Sequence, residues 1–492
     1  MNFRLLASFH IATCAFSIAT AAPFNVKEGV FDQNQTDLGL SRAPGSQTVT
    51  VFTPTASSDH YGNGVVMTGF KGKLYCQWQS SAVDEDAADT WVAYSIGTVD
   101  KFANGSQIET WSTPRELAPT MQNGIRTSGG WNVFNDTLIA FINVWPDSMN
   151  PRGGFAYYRE SADGITWGEL KPVLMKDGSA MTAVIEQDPH EYNGRLYNAA
   201  HFQPGLLANP IYTDDLSGRT GWVKAKYANM DHSGSNSREM EPSLFKNSDG
   251  EIVMTFRDQN STYYRLASVS KDRGATWSTT ELTNMPDSRA KQSAGNLPDG
   301  SVYLVSNPVT NKTRIPLSIT LSNDGKVFDR AYNLRTQSEL PDRVYEGQYK
   351  SIGYHYPKTM RYGDYLYVSY STNKELVEYT RIPLAEICDY KPAPEMPDSS
   401  DTDTSTTADT TATDSSTARP ANSTEINLAD SDSSATSDTS SIHEATAILR
   451  KQTAPSQTNN YSAFDAMGRT LYTKESVGIR NVENRKIRKF WK

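Results

Sequence analysis

Six times along the chain, a short turn bearing Gly or Asp runs directly into an apolar, strand-like segment. The copies are Gly72-Lys73-Leu74-Tyr75-Cys76, Asp136-Thr137-Leu138-Ile139-Ala140, Gly194-Arg195-Leu196-Tyr197-Asn198, Gly250-Glu251-Ile252-Val253-Met254, Gly300-Ser301-Val302-Tyr303-Leu304 and Asp364-Tyr365-Leu366-Tyr367-Val368. Their Leu, Ile or Val anchors recur at intervals of 50 to 64 residues. Each copy reads as a hairpin whose turn is made by the Gly or Asp. An aromatic beat runs beside them at Trp111, Trp167, Trp222, Trp277 and Phe328, spaced 51 to 56 residues apart.

A period near 50 residues filled with strands predicts an all-β, six-bladed β-propeller, because units of this size bury their faces only against each other. Seven blades remain open if an irregular blade hides between Phe202 and Met240. The alternating segment Gln47-Thr48-Val49-Thr50-Val51-Phe52 is expected to complete the last blade beside Val377 to Ile382, closing the ring. The run Ser270-Lys271-Asp272-Arg273-Gly274-Ala275-Thr276-Trp277 is an Asp box, S-x-D-x-G-x-T-W, with a shortened copy from Ser161 to Trp167. Each is expected to turn between the third and fourth strands of its blade, with its tryptophan in the core.

Composition separates the ends from the middle. Arg4, the apolar run Leu5–Ile18 and Ala19-Thr20-Ala21 read as a secretory signal peptide over residues 1–21, with an uncleaved membrane anchor as the alternative. Residues 22–391 form the propeller domain. Residues 392–445 are rich in Ser, Thr and Asp and poor in large apolar residues, which predicts a disordered, O-glycosylated stalk. Residues 446–492 form a basic tail. Sequons at Asn34, Asn104, Asn135, Asn260, Asn311, Asn422 and Asn460 agree with export, to the medium or the cell wall. Eight of the nine net negative charges fall between Pro397 and Ser441, so the propeller is nearly neutral and shows no footprint for nucleic acid or membrane. Cys76 and Cys388 are too few for a disulfide scaffold; lying in the first and last repeats, they are expected to form a clasp.

In a propeller, the starts of the inner strands and the outgoing second-to-third-strand loops converge on one face, where ligands bind. The strand starts supply Asp59, His60 and Tyr61; Arg126; Asp188 and His190; Glu239 and Glu241; Lys291 and Gln292; and Tyr354, His355 and Tyr356. The outgoing loops supply Asp84, Glu85, Asp86, Asp147, His201, Arg257, Asp258, Arg314, Lys374 and Glu375.

Over roughly residues 58–385 the chain resembles the sialidase superfamily of six-bladed, Asp-box propellers. The resemblance implies an arginine cluster for a substrate carboxylate, here Arg257, which follows Glu241 by 16 residues, and Arg314. It implies Tyr356 as nucleophile paired with Glu241, and Asp84 or Asp86 as acid/base. The family's first-blade Phe-Arg-Ile-Pro motif is absent; its position reads Asp59-His60-Tyr61-Gly62. The triplet Arg381-Ile382-Pro383 falls in the last blade's third strand and carries no catalytic expectation.

These residues suit an exo-acting glycosidase on an acidic glycan. Guanidiniums grip carboxylates, a carboxylate can take the phenolic proton, and a carboxylic acid can protonate the leaving oxygen. Arg126, His190 and Gln292 complete the candidate substrate-binding set. The runner-up is a propeller hydrolase or lyase cleaving rhamnosyl-glucuronate with His60 as the catalytic group. A third reading is a carbohydrate-binding propeller without activity. Asp84-Glu85-Asp86 also fits a solvated loop or a cation site. No cofactor or bound metal is implied, and the expected form is a monomer acting on a glycan. The absence of HExxH, CxxC, Walker and GxGxxG patterns excludes metalloprotease, redox and nucleotide readings.

Overall fold

A computed structural model describes residues 22–391, except 102–106, 186 and 188, and a separate two-stranded sheet of Ser462–Phe464 with Thr470–Thr473. The segments expected to be a signal peptide and a stalk, and most of the basic tail, lie outside the described residues. Among the described residues, no helix is long and apolar enough to cross a membrane.

Six antiparallel sheets of four or five strands follow one another along the chain and form the propeller ring. Their inner strands are Tyr61–Phe70, Gly124–Phe134, Ala183–Ile185, Glu239–Lys246, Ser293–Asn296 and Tyr354–Tyr362. The repeated turns do join first strands to second, as at Phe70↔Lys73 and Phe134↔Thr137. Among the described residues there is no seventh blade. The stretch between Phe202 and Met240 instead carries the outer strands of blade 3, Leu207–Thr213 and Val223–Lys224.

Each blade buries both faces against its neighbours, so the core is a set of clusters between blades rather than one centre. Blades 1 and 2 share Val66, Tyr94, Trp131 and Leu138; blades 3 and 4 share Tyr197, Ala199, Met254 and Leu266. This explains why second strands such as Lys73–Ser81 are buried after their first residue. Closure occurs where the alternation places it: Gln47–Phe52 pairs antiparallel with Leu376–Pro383. Arg381, 3% exposed, donates to Gln47 Oε1 at 2.6 and 3.1 Å and pairs with Glu109 of blade 1. Its triplet therefore works as a buckle on the latch.

The Asp boxes turn between third and fourth strands. In the fuller copy, Asp272 accepts from the Thr276 amide at 2.9 Å and the Thr276 hydroxyl at 2.6 Å, while Trp277 Nε1 donates to the Gly274 carbonyl at 3.1 Å. Gly274 has φ +84°, where a side chain would be strained and its Cβ would lie 2.9 Å from Tyr197. Of the marker aromatics, Trp222 and Phe328 are fully in the core, while Trp111, Trp167 and Trp277 are half-buried against it.

The cysteine clasp does not form: both thiols are free. Cys76 is buried in the cluster between blades 6 and 1, whereas Cys388 packs against the cluster between blades 5 and 6. Blade 6 therefore intervenes between them, although their repeats are ring neighbours.

Candidate active site

A cavity of about 250 Å³ opens where the inner strands begin. Tyr356 and Glu241 both line it, and both reach it through the same backbone device. Each sits at a register shift in its inner strand, each has positive φ (+55° and +48°), and each is followed by proline. A bulge re-aims one side chain out of the strand's alternation, and left-handed geometry at a non-glycine residue costs roughly 1–3 kcal/mol. Blade 1 carries the same shift at Asn63/Val66, with Gly64 at φ +62°. Blades 4 and 6 thus accept strain where blade 1 uses glycine.

Glu241 is 5% exposed and accepts from Arg257 Nη1 at 2.8 Å. Its amide donates to His201 Nε2 at 3.1 Å, fixing the bulge from beneath. Burial works against the Arg257 charge, but Glu241 beside it more than offsets this and holds the guanidinium protonated.

The Tyr356 hydroxyl has no hydrogen-bond partner among the described residues. Arg314, Lys291 and Lys374 stand 5.1, 5.5 and 5.7 Å from its ring centroid. Burial pushes the phenol well above its ordinary value, the Glu241 and Glu85 carboxylates push it further, and Arg314 and Arg257 pull it back. The resting residue is therefore a phenol, so any reaction through its oxygen requires a proton acceptor. Arg314 is placed by Gly353, where a Cβ would lie 2.8 Å from the Arg314 carbonyl oxygen.

Of the outgoing-loop carboxylates, Asp86 and Glu85 line the cavity. Asp86 receives Arg152 at both oxygens, at 2.6 and 2.9 Å. Glu85 pairs with Lys374 at 2.5 Å. Asp84 turns aside, accepting the Gln348 amide.

Other candidate residues lie away from this cavity. Arg126, 5% exposed, donates to the carbonyls of Pro119 and Thr120 at 2.6 and 3.2 Å, while its neighbours Ile125 and Thr127 face the cavity. Gln292 is fully buried and ties the Glu241 and Thr255 carbonyls to blade 5 at 3.1 and 2.8 Å; its neighbour Lys291 lines the cavity. His190 lines a different cavity of about 470 Å³, at the opposite ends of the inner strands beside Thr68, Asn132 and Thr359; burial pushes it down to about 4. His60 stacks on Tyr345 at 3.7 Å, bonds Thr55 O at 3.1 Å, and does not line the central cavity. Asp59 beside it is occupied by Ser80 Oγ at 2.7 Å and Trp91 Nε1 at 2.6 Å. Asp188 lies outside the described residues.

Three residues had escaped sequence reasoning: Arg152, Lys358 and Arg289. Arg152 and Lys358 line the cavity. Arg289 has φ +57° and a buried Nε without a partner, and the charges of Arg257, Glu241 and Arg314 all act on its guanidinium. Arg152 and Arg289 lie in loops where no periodicity points to them; Lys358 was visible only as the residue two beyond Tyr356, on the same strand face. No group of three or more potential metal ligands occurs among the described residues.

A six-bladed ring with Asp-box turns is a sialidase-like propeller. The chain belongs to the BNR repeat-like domain family, which it matches over residues 72–368. Among solved structures it is similar to a sialidase at 18% identity (TM-score 0.51), covering 74% of this chain and 35% of that one, so it spans about a third of that protein's length. It is also similar to a protein of unknown function from Dyadobacter fermentans DSM 18053, at 14% identity and TM-score 0.51, covering 69% of this chain and 100% of that one. A leech intramolecular trans-sialidase, complexed with 2,7-anhydro-Neu5Ac, is 13% identical with TM-score 0.50, covering 69% and 71%. At these identities the likeness concerns the fold. No curated protein matches the sequence.

Proposed function

We propose that the protein is an exported, exo-acting glycosidase that removes a terminal acidic residue from a glycan. The observation carrying this reading is that two separate left-handed bulges lift Tyr356 and Glu241 into one cavity rich in cationic side chains. Strain of this kind at two residues lining one cavity supports a functional reading.

In the proposed reaction, Arg314 and Arg257 hold the substrate carboxylate, with Arg289 as a third guanidinium in place of the absent first-blade arginine. The Tyr356 oxygen bonds to the anomeric carbon as the glycosidic C–O bond breaks, and Glu241 takes the phenolic proton. Asp86 delivers a proton to the leaving oxygen, which requires it first to part from Arg152 and take up that proton. Water then attacks the glycosyl-tyrosine, giving its proton to the carboxylate of Asp86 and releasing the sugar. The Tyr356 phenol regains its proton from Glu241. Arg257, paired with Glu241, moderates that carboxylate and stabilises charge developing on the tyrosine.

The test is hydrolysis of aryl glycosides of acidic sugars, sialosides and uronides, by wild type and Tyr356→Phe. Wild-type release of the aryl alcohol, reduced at least about a thousandfold in the variant, supports the reading. Binding without turnover of any acidic glycoside would make the protein a lectin instead.

A further inference from the structure

Asn260 lies three residues after Arg257, and Asn311 lies three residues before Arg314. Each is in the outgoing loop of its blade, at the end of the ring where the central cavity opens. The first follows the strand Ile252–Asp258, and the second lies between Val302–Ser306 and Leu317–Ser322. Both asparagines are exposed, and each begins a sequon, Asn260-Ser261-Thr262 and Asn311-Lys312-Thr313. Both loops are held in place. Asp258 accepts from the Asn260 amide at 2.9 Å and the Thr262 hydroxyl at 2.5 Å, and Arg257 donates to Gln259 at 2.8 Å. Asn311 Oδ1 accepts from the amide and hydroxyl of Thr313 at 2.8 and 2.5 Å, while its Nδ2 has no partner among the described residues.

A third sequon joins them through the amino-terminal segment. Asn34-Gln35-Thr36 is exposed, and the preceding Gln33 donates to the Pro308 carbonyl at 2.9 Å while accepting from the Thr310 amide at 3.3 Å. Asn34 therefore lies beside the loop that carries Asn311. The outgoing loops of blades 1, 2, 3 and 6, residues 82–90, 147–154, 203–206 and 373–375, contain no sequon. The remaining sequon with a described asparagine, at Asn135, sits in the turn between Phe134 and Thr137, at the opposite end of the ring. The sequons at the cavity's end thus gather on blades 4 and 5.

We infer that Asn34, Asn260 and Asn311 are N-glycosylation sites whose glycans form a one-sided collar over blades 4 and 5, beside the mouth of the central cavity. The inference rests on the export reading, because this modification takes place in the secretory lumen. At each site the asparagine Nδ2 bonds to the anomeric carbon of an oligosaccharide carried on a polyprenyl pyrophosphate. The bond from that carbon to the pyrophosphate oxygen breaks, the polyprenyl pyrophosphate leaves, and the amide proton passes to a base of the transferase. Such glycans are bulky and stay on the surface. Standing three residues from Arg257 and Arg314, two of them shield the loops that carry these arginines. That side of the mouth is closed to macromolecules, and blades 1, 2, 3 and 6 stay open.

Site mapping tests this without a catalytic assay. The full chain is secreted from a eukaryotic host, and its glycans are removed by a peptide N-glycosidase in heavy-oxygen water, which converts each occupied asparagine to labelled aspartate. Peptide mass spectrometry should find the label at Asn34, Asn260 and Asn311 in most molecules. Brief trypsin treatment of the native glycoprotein reads the shielding. Cleavage after the exposed Lys312 should be at least about fivefold faster after native deglycosylation and in Asn311→Gln. Deglycosylation leaves a carboxylate that still accepts from Thr313, so faster cleavage there does not come from a loosened loop. Asn135→Gln should change nothing at Lys312. Secreted protein unmodified at Asn260 and Asn311 overturns the inference, and so does equal cleavage with and without glycans. A chain that stays inside the cell overturns the export reading, and the inference falls with it.

Discussion

Arg314 donates from Nη1 to Nδ1 of His355 at 2.8 Å, while the other ring nitrogen of His355 bonds the Ser351 carbonyl at 2.8 Å. The carbonyl can only accept, so Nε2 carries the proton and Nδ1 presents its lone pair to the guanidinium. His355 is fully buried and holds Arg314 over the Tyr356 ring. It is a positioning residue. His355→Phe should raise KM for an acidic glycoside about tenfold with a smaller change in kcat, and His355→Asn should recover part of the loss. Equal changes in both constants, without rescue, would show that only folding was damaged.

The same histidine makes stability depend on pH. Burial, then the charges of Arg314 and Lys374, hold His355 well below its usual 6.5, and burial pushes His190 down to about 4. Both stay neutral in the folded protein while the unfolded chain takes up protons, so stability is full above about pH 6.5 and declines as pH falls towards 4. Urea midpoints across that range should fall with acidity, and the slope should be shallower in His355→Phe. A flat profile between those limits would contradict the buried, neutral assignment.

Arg289 offers a separation of binding from stability. Its φ of +57° suits glycine, and its side chain has no acidic partner among the described residues. Arg289→Gly should leave the unfolding free energy unchanged or raised, by up to about 1 kcal/mol. KM for the acidic substrate should rise about tenfold. Kinetics identical to wild type would remove Arg289 from the carboxylate site.

The sequence carried the blade count, the latch and the placement of Tyr356 and Glu241 at the starts of inner strands, because a repeat near 50 residues assigns every inner strand its start. It could not carry parity within a strand. Arg126 and Gln292 sit one residue from positions that do face the cavity, Thr127 and Lys291, and strand alternation turns them into carbonyl ligands. The bulges at Tyr356 and Glu241 were written as Tyr-Pro and Glu-Pro at matching blade positions, a signal legible only once blades 4 and 6 are superposed. His60 came from both the first blade's strand start and the missing motif's position; it lies just before the inner strand Tyr61–Phe70, stacked against Tyr345 rather than in the cavity.

The latch should fail at Arg381. Its pair with Glu109 is 3% and 2% exposed, and removing Arg381 takes the guanidinium away from a buried carboxylate. Arg381→Met should therefore cost about 3–5 kcal/mol, seen as a lower urea midpoint. A loss under about 1 kcal/mol would place the ring's closure elsewhere, in the strand pairing alone.

The most direct test of the account is the identity of the nucleophile. The protein would be incubated with an acidic glycosyl fluoride carrying a second fluorine beside the anomeric carbon, which slows breakdown of any glycosyl-enzyme. Peptide mass spectrometry would then locate the added sugar. The account predicts one sugar mass on the Tyr356 peptide, absent from Tyr356→Phe. Turnover of the unmodified glycoside with Tyr356 remaining unlabelled, or a label on another residue, would contradict it.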